Sequence, residues 1–130
     1  MGDPESEVVL PRIKSDLLEL LYVAGNGNLK DHNIIIDDKK AATVFLVSGG
    51  YPEQYEKNKE IFGLDSVIDS LVFHAGAKYE DGKVKTNGGR VIAITSIGNS
   101  VEEALEKSYK SIKKINFEKM NYRKDIGFDL

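Results

Sequence analysis

Three short segments carry the residue types with which a loop could hold an anion: "VSGGYP" at residues 47–52, "FHAG" at 73–76 and "TNGGRV" at 86–91. Gly49-Gly50, Gly76 and Gly88-Gly89 lack a Cβ, so their backbone can approach a ligand closely or turn through positive φ, and successive N–H groups can form an anion nest. Glycine pairs also close strands, and that reading stands beside the first. His74 could donate to a phosphate or shuttle a proton, or simply pack on a strand. Arg90, directly after the second glycine pair, could offer a guanidinium fork to a phosphate or carboxylate, or form a surface ion pair. At the other end Asp3, Glu5 and Glu7 present carboxylates of the kind hard cations prefer, against a competing role as a helix start. Arg123, Lys124 and Asp125 read as an Arg-Asp pair pinning the tail. No Walker-type loop, His-x-x-x-His pair or supported Ser/His/Asp set occurs.

The elements that must position these groups belong to one compact domain's worth of chain, 130 residues with 41% hydrophobic and 30% charged side chains. The net charge of −3 comes from 18 basic and 21 acidic residues scattered along the chain. Without a basic run to grip a phosphate backbone or an anionic bilayer, nucleic acid and membrane are not expected partners. The absence of cysteine removes disulfides and thiolate chemistry and fits a reducing, cytoplasmic setting. Apolar runs such as "AATVFLV" fall short of the roughly 20 residues that span a bilayer.

Asp3 and Pro4 read as a helix cap and first helical residue; Pro11 then ends or kinks that helix. Ser15 or Asp16 caps a second helix that turns Leu17, Leu18, Leu20 and Leu21 inward. A compositional change near residue 33 marks a boundary between residues 1–33 and 34–130. Beyond it, "NIII" and the run from Ala41 to Val47 read as strands of roughly three and six residues, the second central in its sheet. Residues 51–63 form a polar excursion with at most one loose helical turn, closed by Gly63. Asp81-Gly82 marks a two-residue hairpin turn. Continued without a break, its register sets His74 opposite Gly89 and Gly76 opposite Asn87, so that two glycine-marked patches converge. Ser100 and Glu103 form a capping box for a last helix with Val101, Ala104, Leu105, Ser108, Ile112 and Ile115 on one face. Such a helix lies on a sheet, which makes the fold α+β with a mainly antiparallel sheet and flanking helices.

The ordered set "GDPESE", "SDLLELL", "VSGGYP", "FHAG", "TNGGRV" and "YRKDIG" resembles the C-terminal part of the phosphoribosylamine-glycine ligases, also called glycinamide ribonucleotide synthetases, along the whole chain. The resemblance implies the C-terminal domain of an ATP-grasp ligase, preceded by the helical end of the ATP-grasp domain. In that family ATP activates the carboxylate of glycine, and the amine of 5-phosphoribosylamine attacks the acyl phosphate to give glycinamide ribonucleotide in purine synthesis. The family signature continues upstream of Gly-Asp-Pro-Glu, and Met1 stands where it has Phe. The resemblance therefore implies a fragment, inactive alone, with magnesium and ATP belonging to the full-length enzyme.

Carried over by position, Asp3, Pro4 and Glu5 would lie beside the glycine site, with Asp3 on the glycine amine. Gly49, Gly50, Tyr51, Pro52, His74, Gly76, Asn87, Gly88, Gly89 and Arg90 would line or shape the phosphoribosylamine side, and Arg123 to Gly127 would anchor the tail. Two positions depart from the family pattern: Asn58, where Gly is usual, and Ala77, where Thr is usual. The alternatives are a stand-alone sugar-phosphate-binding or assembly module without catalysis, and a structural domain with apolar residues exposed on the Leu17–Leu21 helix. Self-association of the fragment is expected in the last case.

Overall fold

The computed structural model describes residues 2 and 4–128, and the chain divides into two compact units, residues 1–39 and 40–130. The compositional change near residue 33 precedes that division.

The first unit is built from short helices. Helix α1 (Ser6–Val9) starts at Ser6, later than the Pro4 start expected from the sequence, with Glu5 at the N-cap and making no side-chain cap bond. Asp3, the expected cap, lies outside the described residues. Pro11 ends α1 as expected, since the chain tightens into a 3₁₀ turn at Leu10–Arg12. Asp16 caps α2 (Leu17–Gly25) by accepting the Glu19 N–H at 3.0 Å. Ser15 instead accepts the Ile35 N–H at 2.8 Å.

Two expectations for this unit are corrected. Residues 33–36 form no strand; Ile36 makes an isolated bridge to Ile13 through the Lys14 N–H to the Ile35 carbonyl and the Asp37 N–H to the Arg12 carbonyl, and the pairing goes no further there because the Ile35 N–H is taken by the Ser15 hydroxyl. Helix α2 buries Leu20 and Val23, three apart, while Leu18, Leu21 and Tyr22 are 77%, 61% and 73% exposed. The 3.6-residue period puts these two sets on different sides of one helix.

The second unit is a helix on an antiparallel sheet. Strands β1 (Lys40–Val47), β2 (Leu71–His74) and β5 (Arg90–Gly98) make a three-stranded sheet in the order β1-β5-β2; β3 (Ala77–Glu80) and β4 (Lys83–Thr86) pair separately. Helix α3 (Val101–Ile112) packs on the larger sheet, setting Ala104, Leu105 and Ile112 against Val44, Leu46, Ile92 and Ile94. Each large side chain in this fully buried set is worth about 2–5 kcal/mol against truncation. Ser100 accepts the Glu103 N–H, and the Glu103 carboxylate accepts the Asn99 N–H at 2.7 Å, so the capping box closes one residue earlier than its standard form.

Strand β1 is an edge strand, not the central one its apolar run suggested; β5 lies in the middle. Continuous apolar sequence reports that both faces of a strand are covered, which is independent of whether both edges are paired. Among the described residues, a second partner meets β1 at its end alone, where Val47 and Asn121 exchange backbone hydrogen bonds of 2.8 and 3.0 Å. The excursion at 51–63 contains no helix. Residues 58–61 run instead along β4, with Asn58 and Ile61 donating to the Thr86 and Val84 carbonyls and Thr86 donating to Lys59.

Candidate functional site

The second unit gathers its glycine segments at one end of the larger sheet. Asp81-Gly82 forms the expected tight turn, both residues at positive φ, and the register it sets holds from Glu80–Lys83 through Ala77–Thr86 to the Asn87 N–H bonded to the Gly76 carbonyl at 2.7 Å. There the register breaks. The Gly76 N–H donates to the Arg90 carbonyl at 2.7 Å, and His74 pairs with Ile92. The expectation that His74 faces Gly89 is therefore corrected: Gly88 and Gly89 bulge out opposite Gly76 alone, and every later pair is displaced.

That bulge is possible because Gly76 and Gly88 touch through their backbones. A Cβ on Gly76 would meet the Arg90 carbonyl oxygen at 2.5 Å and the Gly88 Cα at 2.7 Å. The loop after β1 docks on the same place. Ser48, 4% exposed, donates from Oγ to the Gly88 carbonyl at 2.9 Å and from its backbone N–H to the Gly89 carbonyl at 2.8 Å. The Tyr51 ring covers the position a Gly89 Cβ would occupy. Gly50, at φ 95°, abuts the Gln54 carbonyl, and the Tyr51–Pro52 peptide is cis. The Cβ positions of Gly49, Gly50, Gly76, Gly88 and Gly89 are thus all met by protein atoms, so close packing of the loops on one another accounts for their need of glycine.

A second irregularity aims Arg90. Leu46 pairs with Ile92 and Val47 with Arg90, which leaves Val91 as an extra residue in β5. Val91 and Ile92 both enter the core as a result, and Arg90 is carried to the other side, its guanidinium carbon 5.6 Å from the Phe45 ring centroid. His74 is exposed at the end of β2. Pro4 and Glu5 belong to the first unit, and Asp3 lies outside the described residues.

Toward the C-terminus, Arg123 and Asp125 form the expected pair, Nε to Oδ1 at 3.0 Å and a terminal nitrogen to Oδ2 at 2.9 Å. The guanidinium holds the Asp125 carboxyl below its usual range. Both groups are exposed and only two residues apart, so the pair is local. The tail is also held by Tyr109, whose hydroxyl donates to the Arg123 carbonyl at 3.1 Å, and by Tyr122 and Ile126 against the core.

Sequence reasoning passed over Ser48, Phe45 and the extra Val91. A serine between an apolar strand and a glycine pair was the available signal for Ser48. Asn58, a departure from the family pattern, does occupy left-handed backbone at φ 63°.

Residues 41–129 match the family described as phosphoribosylglycinamide synthetase, C domain. The chain belongs to this family. Over 126 residues it is 46% identical to the phosphoribosylamine-glycine ligase of Caldanaerobacter subterraneus subsp. tengcongensis, covering 97% of the chain and 30% of that relative. It is 45% identical over 130 residues to the trifunctional purine biosynthetic protein adenosine-3 of Gallus gallus, covering 13% of it. The crystal structure of the phosphoribosylamine-glycine ligase from Thermotoga maritima superposes with a TM-score of 0.76 at 35% identity, covering 96% of the chain and 31% of that structure. The α+β arrangement of the synthetase C domain is thus the fold expected from the sequence, and the chain spans about 30% of its single-function relatives. Among the described residues no helix is long and apolar enough to cross a membrane.

Proposed function

We propose that this chain acts as the C-terminal part of a phosphoribosylamine-glycine ligase, the ATP-dependent enzyme that joins glycine to 5-phosphoribosylamine to give glycinamide ribonucleotide in the cytoplasm. The observation that carries this is the match of residues 41–129 to the synthetase C domain. The gathering of Gly49–Tyr51, Gly76 and Asn87–Arg90 at one sheet end supports the use of that end as a substrate wall.

In this reading the chain supplies shape and positive charge. The packed glycines hold the loops at fixed spacing, which preorganises backbone groups for a sugar phosphate at little further entropy cost. Arg90, turned out of the core by the extra Val91, is the group offered to a phosphate or carboxylate. No three His, Asp or Glu side chains converge among the described residues in a way that could hold a metal ion. From the family resemblance, the reading gives magnesium and ATP, which supply charge neutralisation and carboxylate activation, to the full-length enzyme.

Calorimetric titration of the 130-residue chain with glycinamide ribonucleotide, beside an ATP-hydrolysis assay with glycine and magnesium, tests the proposal. Binding without hydrolysis is the expected result. Hydrolysis by this chain alone would overturn its assignment as a non-catalytic part, and a failure to bind would overturn the preformed substrate wall.

A further inference from the structure

Lys119 occupies left-handed backbone, φ 58°, although it is neither glycine nor asparagine. Long side chains seldom adopt this conformation, and it persists where surrounding structure over-determines it. The surroundings are specific. A Cβ built on Gly49 would meet the Lys119 Cβ at 2.6 Å and the Lys119 carbonyl oxygen at 2.7 Å, so Lys119 is seated directly on the first glycine of the pair. On the other side Gly50 abuts the backbone of Gln54 and Tyr55. Gly49-Gly50 thus sits between two jaws, residues 54–56 and residues 118–119.

The jaws enclose an open hollow of about 300 Å³ lined by Gly49, Gln54, Tyr55, Glu56 and Lys119. Ion pairs cross it. Lys119 Nζ lies 2.8 Å from Glu56 Oε1; Lys59 Nζ lies 2.7 Å from Glu56 Oε2 and 2.9 Å from Glu118 Oε2. The four side chains alternate in sign and link the two jaws twice. Their neighbour Asn121 also pairs with Val47, two residues before Gly49.

We propose that Lys119 is a positioning residue: through Glu56 it clasps the 54–56 jaw to its own and so holds the Gly49-Gly50-Tyr51 loop in place against Gly89. The importance of that loop for ligand binding rests on the function proposed above; the clasp does not.

Hydrogen exchange of the full 130-residue chain, read by NMR residue by residue, tests the clasp without any ligand. The reporters are the Tyr51 and Glu53 amides, bonded to the Ser48 and Gly50 carbonyls, and the references are the Gly76 and Asn87 amides. Lys119→Gly relieves the left-handed backbone while removing the ammonium; Glu56→Gln leaves residue 119 untouched; Lys119→Arg keeps the charge. Roughly two- to fivefold faster exchange, what an exposed ion pair supplies, is expected at Tyr51 and Glu53 in the first two variants, with references unchanged and wild-type exchange in Lys119→Arg. Unchanged reporters in Lys119→Gly and Glu56→Gln, or equal acceleration of reporters and references, would overturn the proposal. If glycinamide ribonucleotide binds the wild-type chain, Lys119→Gly should weaken it several-fold; if it does not bind, the substrate wall fails while the exchange result still decides the clasp.

Discussion

The Tyr51 ring lies against Gly89, in the space that a Cβ at that position would fill. Two segments 38 positions apart in sequence are fitted together by the absence of one methyl group. Gly89→Ala must displace the ring, and with it the tilted packing of Tyr51 on Tyr55, whose centroids are 6.2 Å apart. We expect a loss of about 1–3 kcal/mol in urea unfolding, together with altered aromatic shifts for Tyr51.

Gly76 and Gly82 should separate crowding from backbone strain. Gly76→Ala collides with backbone on two sides, the Arg90 carbonyl and Gly88, neither of which can swing away, and should cost about 3 kcal/mol. Gly82, at φ 75°, has open space around it, so Gly82→Ala should cost only the roughly 1–2 kcal/mol of a left-handed alanine. Equal losses in denaturant titration would count against the close approach of Gly76 to Gly88.

Acid should loosen the second unit through two carboxylates. Hydrogen bonds from Lys119 and then Lys59 lower Glu56 to about 2, and Lys107 with the Asn99 N–H lowers Glu103 to about 2. A depressed folded pKa means that the unfolded chain takes up the proton first. The stabilisation is complete above the unfolded value near 4.5 and is lost as pH falls toward 2. The slope of unfolding free energy over that window should flatten in Glu56→Gln and in Glu103→Gln, measured by denaturant titration at several pH values.

Beneath α3, four serines form a hydrogen-bonded set: Ser70 contacts Ser96 and Ser111 at 2.7 Å, and Ser108 donates to Ser96 at 2.9 Å. Ser108 and Ser96 are almost wholly buried. Removing one hydroxyl leaves its neighbours short of a partner in a site shielded from water, so Ser108→Ala should cost about 1–3 kcal/mol. A neutral result in thermal unfolding would indicate that the set contributes nothing beyond packing.

The exposed Leu18, Leu21 and Tyr22 on α2 predict association of the isolated chain as its concentration rises. Sedimentation velocity should show a concentration-dependent increase for the wild type, suppressed in a Leu18→Lys, Leu21→Glu double variant. A wild-type coefficient that stays constant with concentration would refute this.

Several of these elements are legible in the sequence. Asp81-Gly82 specified its turn because positive φ at two successive positions is a property of the residues themselves. Ser100 with Glu103 specified one helix start, and Ser15 or Asp16 narrowed a second to two adjacent residues, because cap and N–H lie within one turn of each other. The register from that turn held as far as Gly76 and Asn87. It failed at His74, where Gly88-Gly89 could have been absorbed as strand or expelled as bulge, and the choice depended on Ser48 and Tyr51 arriving from a distant loop.

The sequence by itself determined the local matters: the turn at Asp81-Gly82, the cap at the start of α3, which face of α3 is apolar, and, through six ordered motifs, the family. The tertiary structure alone decided that β1 is an edge, that Val91 is an extra residue turning Arg90 out of the core, and that Lys119 closes on Glu56 across the glycine pair. The physical reason is range. Turn and cap preferences are set by groups a few bonds apart, whereas strand order, bulges and ion pairs between remote segments are selected by the packing of the whole unit, and no short window of sequence contains that competition.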